Sequence, residues 1–337
     1  MNRILDIMAD TPAIIDWANS QDVLAFSQYL KTAPERPLIC IGSGGSFSTC
    51  ELIAMMYETL GGIAKAVTPY SVYSMSDKTL SQCKILLVSN SGHNKDIIRI
   101  ARHCMELAPL WVANLTTADG KGNDLRAIIP VNHSFNFASD IKDGFISVNS
   151  VIANYALIIK AFKDIDNIVM KPEDIAIDTS DVKHFIVLYG GWGKPVAIDL
   201  ESKLVESGVA TCAVSDYRNF CHGRFIFVGN HCGHKKKTFV PNDCTVIMLT
   251  TPREDNFAQK IKEILPDRCR VINIRSSRSD SLAAIELLYK ASVFAGDIAE
   301  GHGVNPLSPS NHGGIDKRKP QQIPFISDIK KYGPLTI

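Results

Sequence analysis

The sequence has no surplus of charge of either sign: 36 Lys and Arg stand against 35 Asp and Glu, a formal charge of +1 over 337 residues. With no long basic block there is little to neutralise a run of phosphates, the main source of nucleic-acid affinity, so nucleic acid is not an expected partner. No window reaches the roughly 18 apolar residues of a membrane span, and no membrane partner is expected. The opening MNRILDIMAD lacks the compact apolar core and small-residue cleavage site of a signal peptide, which predicts a cytoplasmic protein. The nucleotide signatures are missing too. There is no G-x-x-x-x-G-K-[ST] loop, and Gly42, Gly44 and Gly45 do not make G-x-G-x-x-G. What is present is ordinary globular composition, 45% hydrophobic and 21% charged, long enough for two domains. Nine Cys, at 40, 50, 83, 104, 212, 221, 232, 244 and 269, form an odd set scattered through apolar stretches. Reduced thiols are expected rather than a disulfide frame.

Between residues 3 and 30, Ile4, Ile7, Met8, Ile14, Ile15, Trp17, Val23, Leu24 and Leu30 recur at helical spacing and predict one or two leading helices with these side chains buried. From Pro37, short runs rich in Ile, Leu and Val end in Gly or Ser and precede longer helical stretches. PLICIG precedes SFSTCELIAMMYETLGG, KILLVSNSG precedes HNKDIIRIARHCMEL, and LWVANLTT precedes a Gly/Asp loop and a weaker run at 127–131. Continuous apolar strands alternating with helices predict a parallel sheet covered on both faces, closed by a helix at about 146–163. After a polar, acidic stretch the pattern restarts with HFIVLYGG, KPVAIDLESKLVES, VATCAVS, CTVIMLTT, REDNFAQKIKEIL, CRVINIRS and SLAAIELLYKASVFAG. The expected α/β architecture has N-terminal helices over 1–35, a first sheet unit over 36–165, a linker over 166–182 and a second sheet unit over 183–300. The tail over 301–337, punctuated by Pro306, Pro309, Gly313 and Gly314, is expected to wrap the body without regular structure.

Gly42-Ser43-Gly44-Gly45-Ser46-Phe47-Ser48 ends the first strand and opens a helix. Glycines let a ligand approach the backbone, and the helix start offers unpaired N–H groups and a positive dipole end, so an anion fits there. The next strand ends in Ser89-Asn90-Ser91-Gly92-His93-Asn94, which adds hydroxyls able to donate to phosphate oxygens. Ligands of open parallel sheets sit where two such strand ends converge, so the pair predicts a small phosphorylated ligand. The plainer alternative is two helix N-caps, by Ser46 and Ser91. After the second unit's strand CTVIMLTT stands Thr250-Thr251-Pro252-Arg253, without a serine pair, and one productive site per chain is expected.

Ser89-Asn90-Ser91-Gly92 resembles the S-x-S-G signature of sugar isomerase (SIS) domains, and Gly45-Ser46-Phe47 their earlier glycine-serine-aromatic turn. Over roughly residues 37 to 300, the tandem layout resembles the isomerase half of glucosamine-6-phosphate synthase and the fructosamine-6-phosphate deglycases. The resemblance implies two tandem SIS domains, each a mostly parallel sheet flanked by helices. It also implies that Ser46, Ser89, Asn90 and Ser91 hold a sugar phosphate. Asn94 stands where the family commonly has Thr and keeps a polar group there.

Asp199, Lys203 and Glu206 fall at i, i+4 and i+7, opposite Val196, Ala197, Leu200 and Leu204. Periodicity alone reads this as a solvated face with a favourable acid–base pair. Under the resemblance, Pro195 to Glu206 matches the family's helix without gaps, placing Glu206 on the general base and Lys203 on the active-site lysine. His222-Gly223 follows 222 − 206 = 16 residues later, where the family has its ring-opening histidine. Interconverting a ketose and an aldose moves a proton between adjacent carbons through an enediol. A carboxylate can carry that proton, an imidazole can relay one during ring opening, and an ammonium can stabilise the oxyanion. The family also brings a tail lysine to the sugar. Lys317, Lys319 and His312 are near that position without falling on it, and His312 and Lys317 are the candidate tail contacts.

Cys221, His222, His231, Cys232, His234 and Cys244 include zinc-ligand types, but C-H followed by H-C-x-H fits no standard structural spacing. Buried thiols and a loop whose Lys235, Lys236 and Lys237 form a solvated patch or anion-attracting rim are expected, with no metal. The expected function is a phosphosugar isomerase or deglycase acting on a ketose or aldose 6-phosphate or its amine adduct, with no organic cofactor. The alternative is a non-catalytic phosphosugar-binding regulatory protein. Helices alone precede the first unit, so no glutamine-hydrolysing domain is expected. In the family the histidine loop crosses to a neighbouring subunit. Tyr217, Phe220 and Phe225 flank His222 with aromatic surface suited to an interface, unless they pack inside their own domain. A homodimer or higher homo-oligomer is therefore expected.

Overall fold

The apolar runs become strands because a strand covered on both faces can expose neither side chain set. The computed structural model describes residues 3–117, 124–137, 143–144, 146–166, 168, 170–171, 181–232 and 244–306. Helices α1 (Arg3–Met8), α2 (Thr11–Ser20) and α3 (Leu24–Lys31) precede β1 (Leu38–Ile41), α4 (Gly45–Glu58) and β2 (Ala64–Val67). Two short helices, α5 (Pro69–Val72) and α6 (Asp77–Gln82), lead to β3 (Lys84–Val88), α7 (Lys95–Leu107), β4 (Val112–Thr116), α8 (Asp124–Ile128), β5 (Val131–Ser134) and α9 (Asn149–Phe162). The second half runs β6 (His184–Tyr189), α10 (Gly193–Glu206), β7 (Thr211–Asp216), α11 (Tyr217–Asn219), a π-helical turn over Phe220–Arg224, then α12 (Phe225–Cys232). It ends with β8 (Cys244–Thr250), α13 (Asp255–Ile264), β9 (Arg270–Arg275) and α14 (Ala283–Gly301).

The first sheet is wholly parallel, in the order β2-β1-β3-β4-β5. Ile39, Ile41, Ile85 and Leu87 pack with Ile97, Ile100, Ala101 and Cys104 of α7 in one buried cluster. The second sheet, β7-β6-β8-β9, is also wholly parallel. There Ile186, Leu188, Val246 and Met248 pack with Val228, Ala258 and Ile261. Among the described residues no helix is long and apolar enough to cross a membrane. All nine cysteines are free thiols, and Cys221 is the exposed one.

Three leading helices form rather than one or two, and at the boundary between α2 and α3 Asp22 Oδ1 accepts from Leu24 N (2.9 Å). Leu24 lies in that first turn 61% exposed, contrary to its expected burial. By compactness, one unit falls within Ile15–Lys142 and Ala153–Asp164, and the other within Met1–Ile14, Asp143–Ile152 and Ile165–Ser310. The first fourteen residues thus group with the second sheet, and the division falls inside α2 and α9.

Candidate functional site

The first sheet's order reverses between β1 and β3, whose ends lie side by side with Ile41 opposite Leu87. The loops leaving both strands therefore emerge together, the switch point where open α/β sheets take ligands. A cavity of about 650 Å³ lies there, lined by Ser43, Ser46, Val88, Ser89, Asn90, Ser91, Asn94 and Ile97. All five residues expected at the phosphate, Ser46, Ser89, Asn90, Ser91 and Asn94, meet in it, and Ser43 joins them. Tight packing holds the first turn in place. A Cβ on Gly42 would stand 2.8 Å from the Ser46 carbonyl oxygen and 2.9 Å from Cys50 Sγ. Gly44, at φ +57°, precedes α4 in a conformation costly for other residues. Ser48 turns away, its hydroxyl donating to the Gly45 carbonyl at 2.8 Å.

The polar groups of the cavity are arranged asymmetrically. Ser89 Oγ accepts from Gly92 N (3.2 Å), and Ser91 Oγ accepts from His93 N (3.3 Å). Asn94 Oδ1 accepts from Asp96 N (3.0 Å) and Ile97 N (3.1 Å), and Asn90 Oδ1 accepts from the Thr117 hydroxyl. The side-chain oxygens of Ser89, Asn90, Ser91 and Asn94 thus each accept from the protein, while the O–H and amide N–H donors of these four residues are left to the cavity. The N-terminal ends of α4, 14 residues, and α7, 13 residues, add positive dipole ends. Among the described residues, none that lines the cavity is charged. This lining suits an anion rich in oxygen. The plainer alternative of two serine N-caps does not hold: α4 has no side-chain cap, since Ser46 sits inside its first turn, and α7 is capped by Asn94 rather than Ser91.

In α10, Asp199 and Lys203 do not lie on a solvated face. They are 2% and 3% exposed, and the Lys203 ammonium donates to Asp199 Oδ2. Burial pushes the Asp199 carboxyl up, against the pull of Lys203. Glu206, the last residue of α10, is exposed and accepts from Ser202 Oγ at 2.7 Å. Its carboxylate is separate from the buried pair because the helix passes from core to surface over its last turn. His222 is exposed in the π-helical turn, which breaks at His222 (φ −83°, ψ 26°) and Gly223 (φ +116°). Tyr217 and Phe220, expected as interface surface, are instead 3% and 1% exposed, and the Tyr217 hydroxyl donates to the Leu249 carbonyl at 3.0 Å. The apolar surface beyond His222 is Phe225, Ile226 and Phe227.

Of the cysteine–histidine cluster, His231 is buried, stacked on Phe227 (centroids 4.0 Å apart) and edge-on to His184 (5.3 Å). Among the described residues no group of three or more His, Cys, Asp or Glu is placed to hold a metal. His234, Lys235, Lys236, Lys237, His312, Lys317 and Lys319 lie outside the described residues. Two residues beyond the expected set act at the strand ends. Thr117, just past β4, donates its hydroxyl to Asn90 Oδ1. In the second sheet unit, the Glu254 carboxylate accepts from Thr251 N (3.0 Å) and its hydroxyl (2.5 Å). Glu254 packs so closely on the turn after β6 that a Cβ on Gly190 would meet its Cγ at 2.5 Å. Neither residue stands in a recognisable motif, and both act through contacts at loop ends that only folding creates.

No protein-family pattern and no curated protein sequence matches the chain. Solved structures do share its fold. Glucosamine-6-phosphate deaminase from Thermotoga maritima superposes with a TM-score of 0.69 at 13% identity, over 94% of this chain and 99% of that one. Tagatose-6-phosphate ketose/aldose isomerase from Escherichia coli gives 0.65 at 16%, over 93% and 96%. The C-terminal domain of glucosamine-fructose-6-phosphate aminotransferase from Francisella tularensis gives 0.64 at 10%, over 89% and 96%. The α/β architecture of two parallel sheets flanked by helices is common to these proteins and this chain.

Proposed function

We propose that the chain binds a phosphorylated sugar in the cavity between the β1 and β3 loops and acts on it as an aldose–ketose isomerase, or as a deglycase on the amine adduct. The observation that carries this reading is the donor-rich lining of that cavity, set at two helix N-termini. Three proteins of the same fold have names that place them on hexosamine or ketose 6-phosphates. Glu206 takes the proton from one carbon and returns it to its neighbour through an enediol, and His222 relays the proton that opens the ring. Lys203, held by Asp199, stabilises the oxyanion. These are proton transfers between carbon and oxygen, for which a carboxylate and an imidazole suffice without an organic cofactor. The protein acts in the cytoplasm as a homodimer, with the exposed Phe225, Ile226 and Phe227 as its apolar contact.

The test is calorimetric titration of inorganic phosphate and fructose 6-phosphate, with proton exchange in heavy water as the catalytic readout. Ser89→Ala together with Ser91→Ala should weaken binding at least about tenfold, given about 1.5–3 kcal/mol for a hydrogen bond to a charged group, with the thermal midpoint unchanged. Wild-type affinity in that variant would remove the phosphate from this cavity.

A second reading, a non-catalytic phosphosugar-binding regulatory protein, draws on the state of the proton-handling groups. Glu206 is at the surface and Lys203 is sealed against Asp199. Tight binding with no exchange on any ketose phosphate or amine adduct would favour it.

A further inference from the structure

We infer that Thr117 is a positioning residue that fixes the direction of the Asn90 amide and thereby gives the cavity its preference for a fully ionised phosphate. The inference rests on the cavity being the phosphate site. Thr117 is 3% exposed and follows β4, away from both glycine-serine turns. Its own backbone is held, since its carbonyl accepts from Phe137 N (3.0 Å), and the preceding Thr116 carbonyl accepts from Phe135 N (3.0 Å). The other side of the contact is held as well: Ser89 N donates to the Leu115 carbonyl at 3.1 Å, tying the start of the Ser89–Asn94 loop to the end of β4. Between these two fixed backbones the Thr117 hydroxyl donates to Asn90 Oδ1.

A primary amide is nearly symmetric in shape, and a half-turn exchanges its acceptor for its donors. The buried Thr117 hydroxyl has no other acceptor among the described residues, so its proton stays bonded only while Oδ1 faces it, and the Nδ2 group is the part of Asn90 left for a ligand. Without the hydroxyl, either face can turn to the cavity at little cost. An amide oxygen facing a phosphate repels the dianion but accepts from the P–OH of the monoanion. Phosphate esters lose their second proton at about pH 6. The hydroxyl of Thr117 therefore acts, through Asn90, on which protonation state of the ligand is bound.

The experiment measures affinity for fructose 6-phosphate, a monoester whose dianion carries no P–OH, by calorimetry at pH 5.5 and pH 8 for wild type, Thr117→Val, Thr117→Ser, Asn90→Ala and Thr117→Val with Asn90→Ala. Valine keeps the shape of threonine and removes the donor. Thr117→Val should weaken binding about tenfold at pH 8, the size of one charge-assisted hydrogen bond, and under about threefold at pH 5.5. Thr117→Ser should restore the pH 8 affinity. In the Asn90→Ala background, Thr117→Val should cost nothing further, because the group it orients is gone. An equal loss at both pH values, no rescue by serine, or an additive loss with Asn90→Ala would each overturn the role of Thr117. If Asn90→Ala and the Ser89/Ser91 variant also leave phosphate binding untouched, the phosphate reading itself fails. If those variants weaken binding and Thr117→Val does not, only this inference fails.

Discussion

Glu206 and His133 show how differently single titratable groups depend on their surroundings. Glu206 is exposed at the end of α10, so replacing it should alter chemistry more than stability. Glu206→Gln is expected to bind fructose 6-phosphate as wild type does and to slow proton exchange about a hundred- to ten-thousandfold, the usual range for a general base. Deuterium incorporation followed by NMR checks this, and retained exchange would remove Glu206 from the role. His133 is 6% exposed beside Phe26 and Tyr29, and its Nε2 has no partner among the described residues. Burial lowers its pKa from 6.5 to about 4. Above pH 6.5 both folded and unfolded chains keep it neutral. Between about 6.5 and 4 only the unfolded chain takes up the proton, so stability falls as the pH falls. The loss from this residue approaches about 3 kcal/mol at pH 4. Urea unfolding at pH 7 and pH 4.5 should show a distinctly smaller decrease for His133→Leu, and equal decreases would place the acid sensitivity elsewhere.

At the scale of elements, the glycine-serine turns were legible because each is a short stretch acting through its own backbone. β2 was not, since AKAV is an edge strand interrupted by Lys65 and lacks the unbroken apolar run of a central one. Nor did the sequence mark Lys84. Although it is a lysine in the first position of β3, it is fully buried. Its ammonium donates to the carbonyls of Tyr29, Leu30 (3.2 Å) and Thr32 (2.8 Å) at the C-terminal end of α3, between the rings of Tyr29 and Tyr57. There it closes the helix end that would otherwise leave carbonyls unpaired. Lys84→Met should cost about 3 kcal/mol, because the buried acceptors lose their donor. A guanidinium chloride midpoint within error of wild type would refute this.

At the scale of the whole molecule, the exposed apolar surface next to His222 bears on assembly. Phe225, Ile226 and Phe227 are 45%, 56% and 41% exposed, a contiguous apolar stretch following His222. The protein should sediment as a dimer, and Ile226→Asp with Phe227→Asp should shift it to monomer. If His222 serves the site of the other subunit, Glu206→Gln and His222→Ala proteins mixed under subunit exchange should recover part of the activity. A mixed dimer then holds one site with both groups intact. No recovery despite demonstrated exchange would confine His222 to its own chain or remove it from the chemistry.

By itself the sequence determined the α/β class, the central strands and the two turns that line the cavity at the ends of β1 and β3, because these rest on local periodicity and on backbone freedom at glycine. The tertiary structure decided which polar groups have their acceptors engaged and which charges are buried. Thr117 reaches Asn90 across two strand ends, Glu254 settles on the Gly190 turn, and Asp199 and Lys203 turn into the core while Glu206 faces solvent. Those outcomes depend on which loops the parallel pairing brings side by side and on how far each helix extends past its sheet, and neither is set by residue spacing along one element.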